Sequence, residues 1–79
     1  MDKLHRPTRA DIDDVWFLRA CRDAGTVPVD YFASTGIPPK LTEAKVLQLV
    51  KQRYMDYGVS VRTAWVEPAG KELLKEAGV

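Results

Sequence analysis

The stretch Gly36-Ile37-Pro38-Pro39 constrains this chain more than any other part of it. Two successive prolines remove two backbone donors and push the residue before them out of the helical region, and Gly36 favours a stop just ahead of them. No regular element can run through that point. Gly25 and Gly58 punctuate the chain in the same way, so every element between these breaks is short. In a chain of 79 residues that pattern allows one domain. A domain of this size buries only about 60% of the surface its unfolded chain exposes, so its core must be small and filled with large side chains. An apolar fraction of 46% against 29% charged residues is enough to form one, and it excludes global disorder.

Between the breaks the spacing predicts a helix over residues 9–24. Thr8 is suited to the N-cap and Asp11 can complete a capping box. Asp11, Asp13 and Asp14 suit the positive end of the helix dipole, Arg19 and Arg22 suit its negative end, and Gly25 stops it. Ile12, Val15, Trp16 and Arg19 share one side of that helix, with Leu18 close by. Thr26-Val27-Pro28-Val29 reads as a short edge strand, and Asp30–Thr35 as a short helix anchored by Tyr31 and Phe32. Residues 41–57 read as the longest helix. Val46, Leu47, Val50, Tyr54 and Tyr57 form its apolar stripe, Lys45, Gln48 and Gln52 its exposed face, and Gly58 its stop. Residues 59–66 alternate as a strand, with Val59, Val61, Thr63 and Trp65 on one face. Pro68 opens a last helix, docked by Leu73, Leu74 and Ala77. Two strands so short are expected to pair with each other. Trp16 and Trp65 are expected in the core.

Several kinds of chemistry are excluded. One cysteine, Cys21, permits no internal disulfide, and one cysteine with one histidine, His5, is too few for the usual zinc sites. No apolar run approaches the roughly 20 residues of a membrane span, and the N-terminal residues lack the apolar stretch of a secretory signal; the expected location is cytoplasmic. Cys21 sits mid-helix among apolar neighbours and reads as structural. Asp11 and Asp13 diverge by about 200° on a helix and cannot converge on a metal. No glycine-rich phosphate loop and no acid–base or nucleophile pair is apparent, so neither catalysis nor a cofactor is expected.

Charge is distributed unevenly although the net charge is only +1. Residues 1–10 carry +2, residues 11–39 carry −3, residues 40–62 carry +3 and residues 63–79 carry −1. A basic helix with glutamine and lysine on its exposed face suits a major groove, where glutamine can read adenine edges and lysine can reach guanine or phosphate. The same pattern is also that of an ordinary solvated face.

The order of elements resembles the winged helix-turn-helix superfamily. Ser34-Thr35-Gly36-Ile37-Pro38 is similar to the turn between the two helices of that motif. Trp65-Val66-Glu67-Pro68-Ala69-Gly70-Lys71-Glu72-Leu73-Leu74 is similar to the segment that leaves the wing in many bacterial regulators. The resemblance spans about residues 9–77. It implies an α+β, mostly helical, winged-helix-like domain of three to four helices with a small two- or three-stranded sheet. Residues 9–79 would form that single domain and residues 1–8 a basic N-terminal arm. Residues 59–66 hold no Gly or Asn pair for a tight hairpin turn, so the wing is expected as one strand plus a turn, or absent.

Carried onto this chain, the resemblance implies that 41–57 is the recognition helix. Thr42, Lys45, Gln48 and Gln52 would face the bases. Lys40, Lys51, Arg53 and Arg62 would meet phosphates, with Lys3, Arg6 and Arg9 as a basic arm. The leading expectation is a small non-enzymatic DNA-binding protein, a transcriptional regulator or architectural factor of bacterial, phage or mobile-element type. Its partners would be double-stranded DNA and, because the cations are few, a homodimer mate or a second protein. The competing expectation is a winged-helix-like protein-interaction module, whose acidic first half would dock a basic partner.

Overall fold

The computed structural model describes residues 8–79, so the proposed arm residues Lys3 and Arg6 lie outside the described part. The described chain is mostly helical, with four α-helices and one antiparallel two-stranded sheet. A 3-10 turn, Arg9–Asp11, leads into α1 (Asp14–Ala24); α2 (Val29–Ser34) and α3 (Pro39–Lys51) follow. Then come β1 (Met55–Asp56), a second 3-10 turn (Val61–Thr63), β2 (Trp65–Val66) and α4 (Pro68–Glu76).

The expected first helix is divided. Asp11 accepts the Thr8 backbone N–H at 2.8 Å, but this pair closes only the 3-10 turn. Ile12 is extended, and α1 restarts with Asp13 as its cap, accepting the Trp16 N–H at 2.8 Å. Two local caps in close succession outcompete one continuous helix. The inner face of α1 is Phe17, Leu18 and Cys21, turned away from the side expected. Gly25 ends the helix in the left-handed region, its N–H bonded to the Cys21 and Arg22 carbonyls.

Thr26–Val29 is not a strand. The Val29 N–H is spent on the Val27 carbonyl at 2.9 Å and Pro28 has no N–H, so no pairing edge is left. Val27 is nonetheless buried and Val29 opens α2. Phe32 stacks on Phe17, with ring centroids 4.4 Å apart and planes 9° from parallel, and Trp16 leans against Phe32 at 5.5 Å. Tyr31, expected as a core anchor, is instead exposed.

Helix α3 is shorter than expected, since Tyr54 and Tyr57 lie beyond it. It closes in a Schellman motif: the Tyr54 N–H bonds the Leu49 carbonyl and the Arg53 N–H bonds the Val50 carbonyl, each at 2.9 Å. Arg53 therefore holds the left-handed position, φ 67°, that glycine usually fills. The sharp exit turns Met55 into the core and starts a hairpin. Met55 pairs with Val66, both buried, and Asp56 with Trp65, both exposed. The sheet is therefore formed by neighbouring strands across the loop 57–64, and the expected pairing of Thr26–Val29 with 59–66 does not occur. Ser60 is the reason the strand pattern fails: its side chain accepts the Arg62 N–H at 3.1 Å and winds Val61–Thr63 into a 3-10 turn. Trp65, expected in the core, points outward and donates its indole N–H to Glu67 at 2.6 Å.

Helix α4 packs on α1 and β2 through Leu74, with Leu73 half-buried and Ala77, expected to dock, exposed at the helix end. Gly70 is buried where α4 crosses the end of the previous segment. A Cβ there would collide with the Tyr54 carbonyl oxygen and lie 2.7 Å from Val66 Cγ1.

Candidate nucleic-acid interface

The orientation of α3 decides what the domain can present. Its buried residues are Thr42, Lys45, Val46 and Leu49. Positions 40, 44, 47 and 51 follow helical spacing on the opposite side, so Lys40, Ala44, Leu47 and Lys51 form the outer stripe. The helix is rotated by roughly 100°, about one residue, from the expected phase. Leu47, expected inside, is 43% exposed, while Leu49 is fully buried.

The rotation corrects two candidate base readers. Thr42 is buried and its hydroxyl has no hydrogen-bond partner among the described residues. Lys45 is 1% exposed. Its ammonium meets the Asp14 carboxylate, the Arg9 carbonyl at 3.2 Å and the Gln48 side-chain oxygen at 3.3 Å, which occupies all three of its donors. Neither residue can reach a ligand from that position.

Gln48 is half-buried and continues the same network outward. Its amide nitrogen donates to Asp14 at 3.4 Å and to the Gln52 side-chain oxygen at 3.2 Å. Both donors of Gln48 are thus engaged, and a bidentate contact to adenine needs one of them. Gln52 is exposed and uses only its oxygen in this chain of bonds, so its own amide donors take no part in it. Gln48 positions Gln52.

A groove of about 450 Å³ along the flank of α3 brings Arg9, Gln48, Lys51 and Gln52 together over Leu47 and Tyr57. Arg53 lies on the other side of Lys51, in a second groove shared with Asp56 and Glu67. Lys40 stands at the far end of α3. Arg62 is removed from the cationic set: its guanidinium donates to Glu43 at 2.7 Å, latching the 57–64 loop to α3. Glu43 is the one carboxylate within α3, and this pair neutralises it. Asp14 and Leu47, which the sequence assigns to the helix dipole and to the core, and Glu43 join this site only in the fold. Nothing local in the sequence joins Asp14 to Lys45 or Glu43 to Arg62; both pairs exist only through the fold.

Among the described residues no group of His, Cys, Asp and Glu side chains could hold a metal ion, and no helix is long and apolar enough to cross a membrane. No known family model, no curated protein and no solved structure matches this chain.

Proposed function

We propose that this chain is a small DNA-binding domain of the winged helix-turn-helix kind, which lays the outer stripe of α3 in a major groove. The observation that carries this reading is the cationic rim of that stripe. Lys40 and Lys51 stand at its two ends, Arg9 and Arg53 flank Lys51, and Glu43 is already paired. Lys40, Lys51, Arg9 and Arg53 contact phosphates. Gln52 offers amide donors to base edges, and Ala44 and Leu47 offer methyl groups to thymine. The order α2, turn, α3, hairpin, α4 supports the same reading, with the 57–64 loop as the wing and Val59, fully solvent-exposed, at its tip.

The test is titration of random duplex DNA at low and at physiological salt. Four phosphate contacts per domain predict weak binding whose logarithm falls with log salt at a slope of about −3.6 for each domain engaged. Replacing Lys51 with glutamate weakens binding to all sequences and flattens that slope by about one. Absence of binding even at low salt retires the reading. One observation favours the alternative of a protein-interaction module: the centre of the outer stripe is Leu47 beside Ala44, an apolar spot rather than a polar one. That alternative predicts no affinity for DNA at any salt.

A further inference from the structure

The outward face of α1 lies apart from every residue assigned above. Its inner residues, Phe17, Leu18 and Cys21, point to the core, so Trp16, Arg19, Ala20 and Asp23 share the opposite face. A groove of about 470 Å³ runs along that face, floored by Trp16, Ala20, Ala24, Pro28 and Tyr31. Tyr31 is 49% exposed, and its ring centroid lies 6.1 Å from that of Trp16. Two partly exposed aromatic rings over a floor of small residues are the composition of an interface centre rather than of a solvated helix.

The charges at the rim identify the occupant. Arg19 and Asp23 sit one turn apart on the same face, with side chains 57% and 59% exposed. They approach each other only to 3.9 Å, the outer limit of an ion pair, and Asp23 is also held by Arg22 at 3.0 Å. Arg22 takes Oδ1 of Asp23 and leaves Oδ2 on the Arg19 side, so the groove carries one cation and one half-engaged anion one helical turn apart. Such a rim offers little to a polyanion or a strongly basic peptide. It is complementary to itself: with a two-fold axis crossing α1 midway between these residues, Arg19 of each copy meets Asp23 of the other. The same antiparallel arrangement carries Trp16 past the axis toward the Ala24–Pro28 end of the partner groove.

We propose that this face is a homodimer interface, with a second copy of this chain as its occupant and two symmetric Arg19–Asp23 pairs setting its register. The proposal rests on the DNA-binding reading only for its consequence, which is that two α3 helices are joined and weak single-domain affinities combine. The dimer itself is tested without DNA.

The experiment is sedimentation equilibrium of the full chain and of two single variants, Arg19→Asp and Asp23→Arg, each alone and in equimolar mixture. Both positions are exposed, and circular dichroism checks that helix content is unchanged. The wild-type chain forms a dimer. Each single variant places like charges opposite each other twice, and its dimer weakens by about tenfold or more. The mixture restores a heterodimer: one copy then brings two carboxylates to the rim and the other two guanidiniums, so both cross-axis pairs are again of opposite sign. A wild-type chain that stays monomeric at all concentrations overturns the proposal. Single variants that dimerise as the wild type does, or weakened variants that fail to rescue each other, overturn it as well. Tyr31→Ser supplies a variant without charge change, and undiminished dimerisation by it also counts against the proposal. A dimer without DNA affinity would retire the role given to α3 and leave this interface standing; a DNA-binding monomer would do the reverse.

Discussion

The ammonium of Lys45, on the buried face of α3, is held by the carboxylate of Asp14 in the first turn of α1. This pair ties the third helix to the first across the domain, and the Arg9 carbonyl joins the 3-10 turn to it. A buried ion pair stabilises little relative to a well-packed apolar replacement, but removing one partner strands the other charge. Asp14→Asn is therefore expected to destabilise the fold by about 3 kcal/mol, because Lys45 has almost no access to water. Lys45→Met is expected to cost less than about 1 kcal/mol, since Asp14 keeps a partly exposed side chain and can be hydrated. Urea unfolding of the two variants, compared by midpoint at equal slope, checks the asymmetry. Equal losses would mean that the pair itself, rather than the stranded ammonium, dominates.

Gly70 sets how closely α4 approaches the chain leaving α3. Glu67 donates its backbone N–H to the Tyr54 carbonyl at 2.9 Å, and Gly70, one turn later, brings α4 against the same carbonyl. A methyl group there has backbone on one side and the buried Val66 on the other, so neither neighbour can yield cheaply. Gly70→Ala is expected to cost about 2–3 kcal/mol even though alanine is the better helix former. Thermal unfolding measures it, and a neutral or stabilising result would show that α4 can shift away. The Pro68-Ala69-Gly70 step, which carried part of the sequence resemblance, thus has a steric reason to end in glycine.

Much of the architecture was legible because its signals are local. Gly25 and Gly36 occupy positive φ where stops were expected, and the Pro38-Pro39 break separates α2 from α3. The helix phases were not legible in the same way. In α3 two polar residues, Thr42 and Lys45, belong to the inner face, and Leu47 to the outer, so hydrophobic periodicity points about one residue off. The partner that makes a buried lysine tolerable, Asp14, is 31 residues away. The end of α3 was hidden for a related reason. Val46, Val50, Tyr54 and Tyr57 keep helical spacing through a segment where the chain has already turned into a hairpin, and the stop falls on an arginine instead of on Gly58. Of the candidate site residues, Arg9, Lys40, Lys51, Gln52 and Arg53 are exposed, Thr42 is buried, and Lys45, Arg62 and Gln48 are bound by internal partners.

Cys21 is 2% exposed in the core, and burial pushes its thiol from an ordinary 9.0 up to about 12. The thiolate is the reactive form, so the folded chain is expected to resist disulfide-exchange reagents at pH 8 while the unfolded chain reacts at once. The same shift makes stability depend on alkaline pH. The thiol ionises more readily in the unfolded chain, so its contribution is complete below about pH 9 and is lost progressively as pH rises toward 12. Cys21→Ala should flatten that alkaline decline at the cost of a small cavity. Thiol titration with and without denaturant reads the first expectation. Fast labelling of the native chain would place Cys21 outside the core.

Arg53 joins stability to the proposed function. It is the one non-glycine residue among the described residues with a positive φ, and it closes the Schellman motif at the end of α3. A side chain in the left-handed region costs roughly 1–2 kcal/mol relative to its preferred conformations, part of which glycine would offset by its greater freedom when unfolded. Arg53→Gly is thus expected to stabilise the fold by about 0.5–1 kcal/mol. It also removes one cation from the rim of α3, so binding to duplex DNA should weaken at low salt and lose about one unit of salt slope. Arg53→Asn is expected to move both quantities the same way, since asparagine tolerates the left-handed region and carries no charge. Stability gained with affinity lost, in both variants, is the signature of a strained residue kept for its charge. Stability gained with DNA affinity unchanged would remove Arg53 from the interface and leave its strain without a functional account.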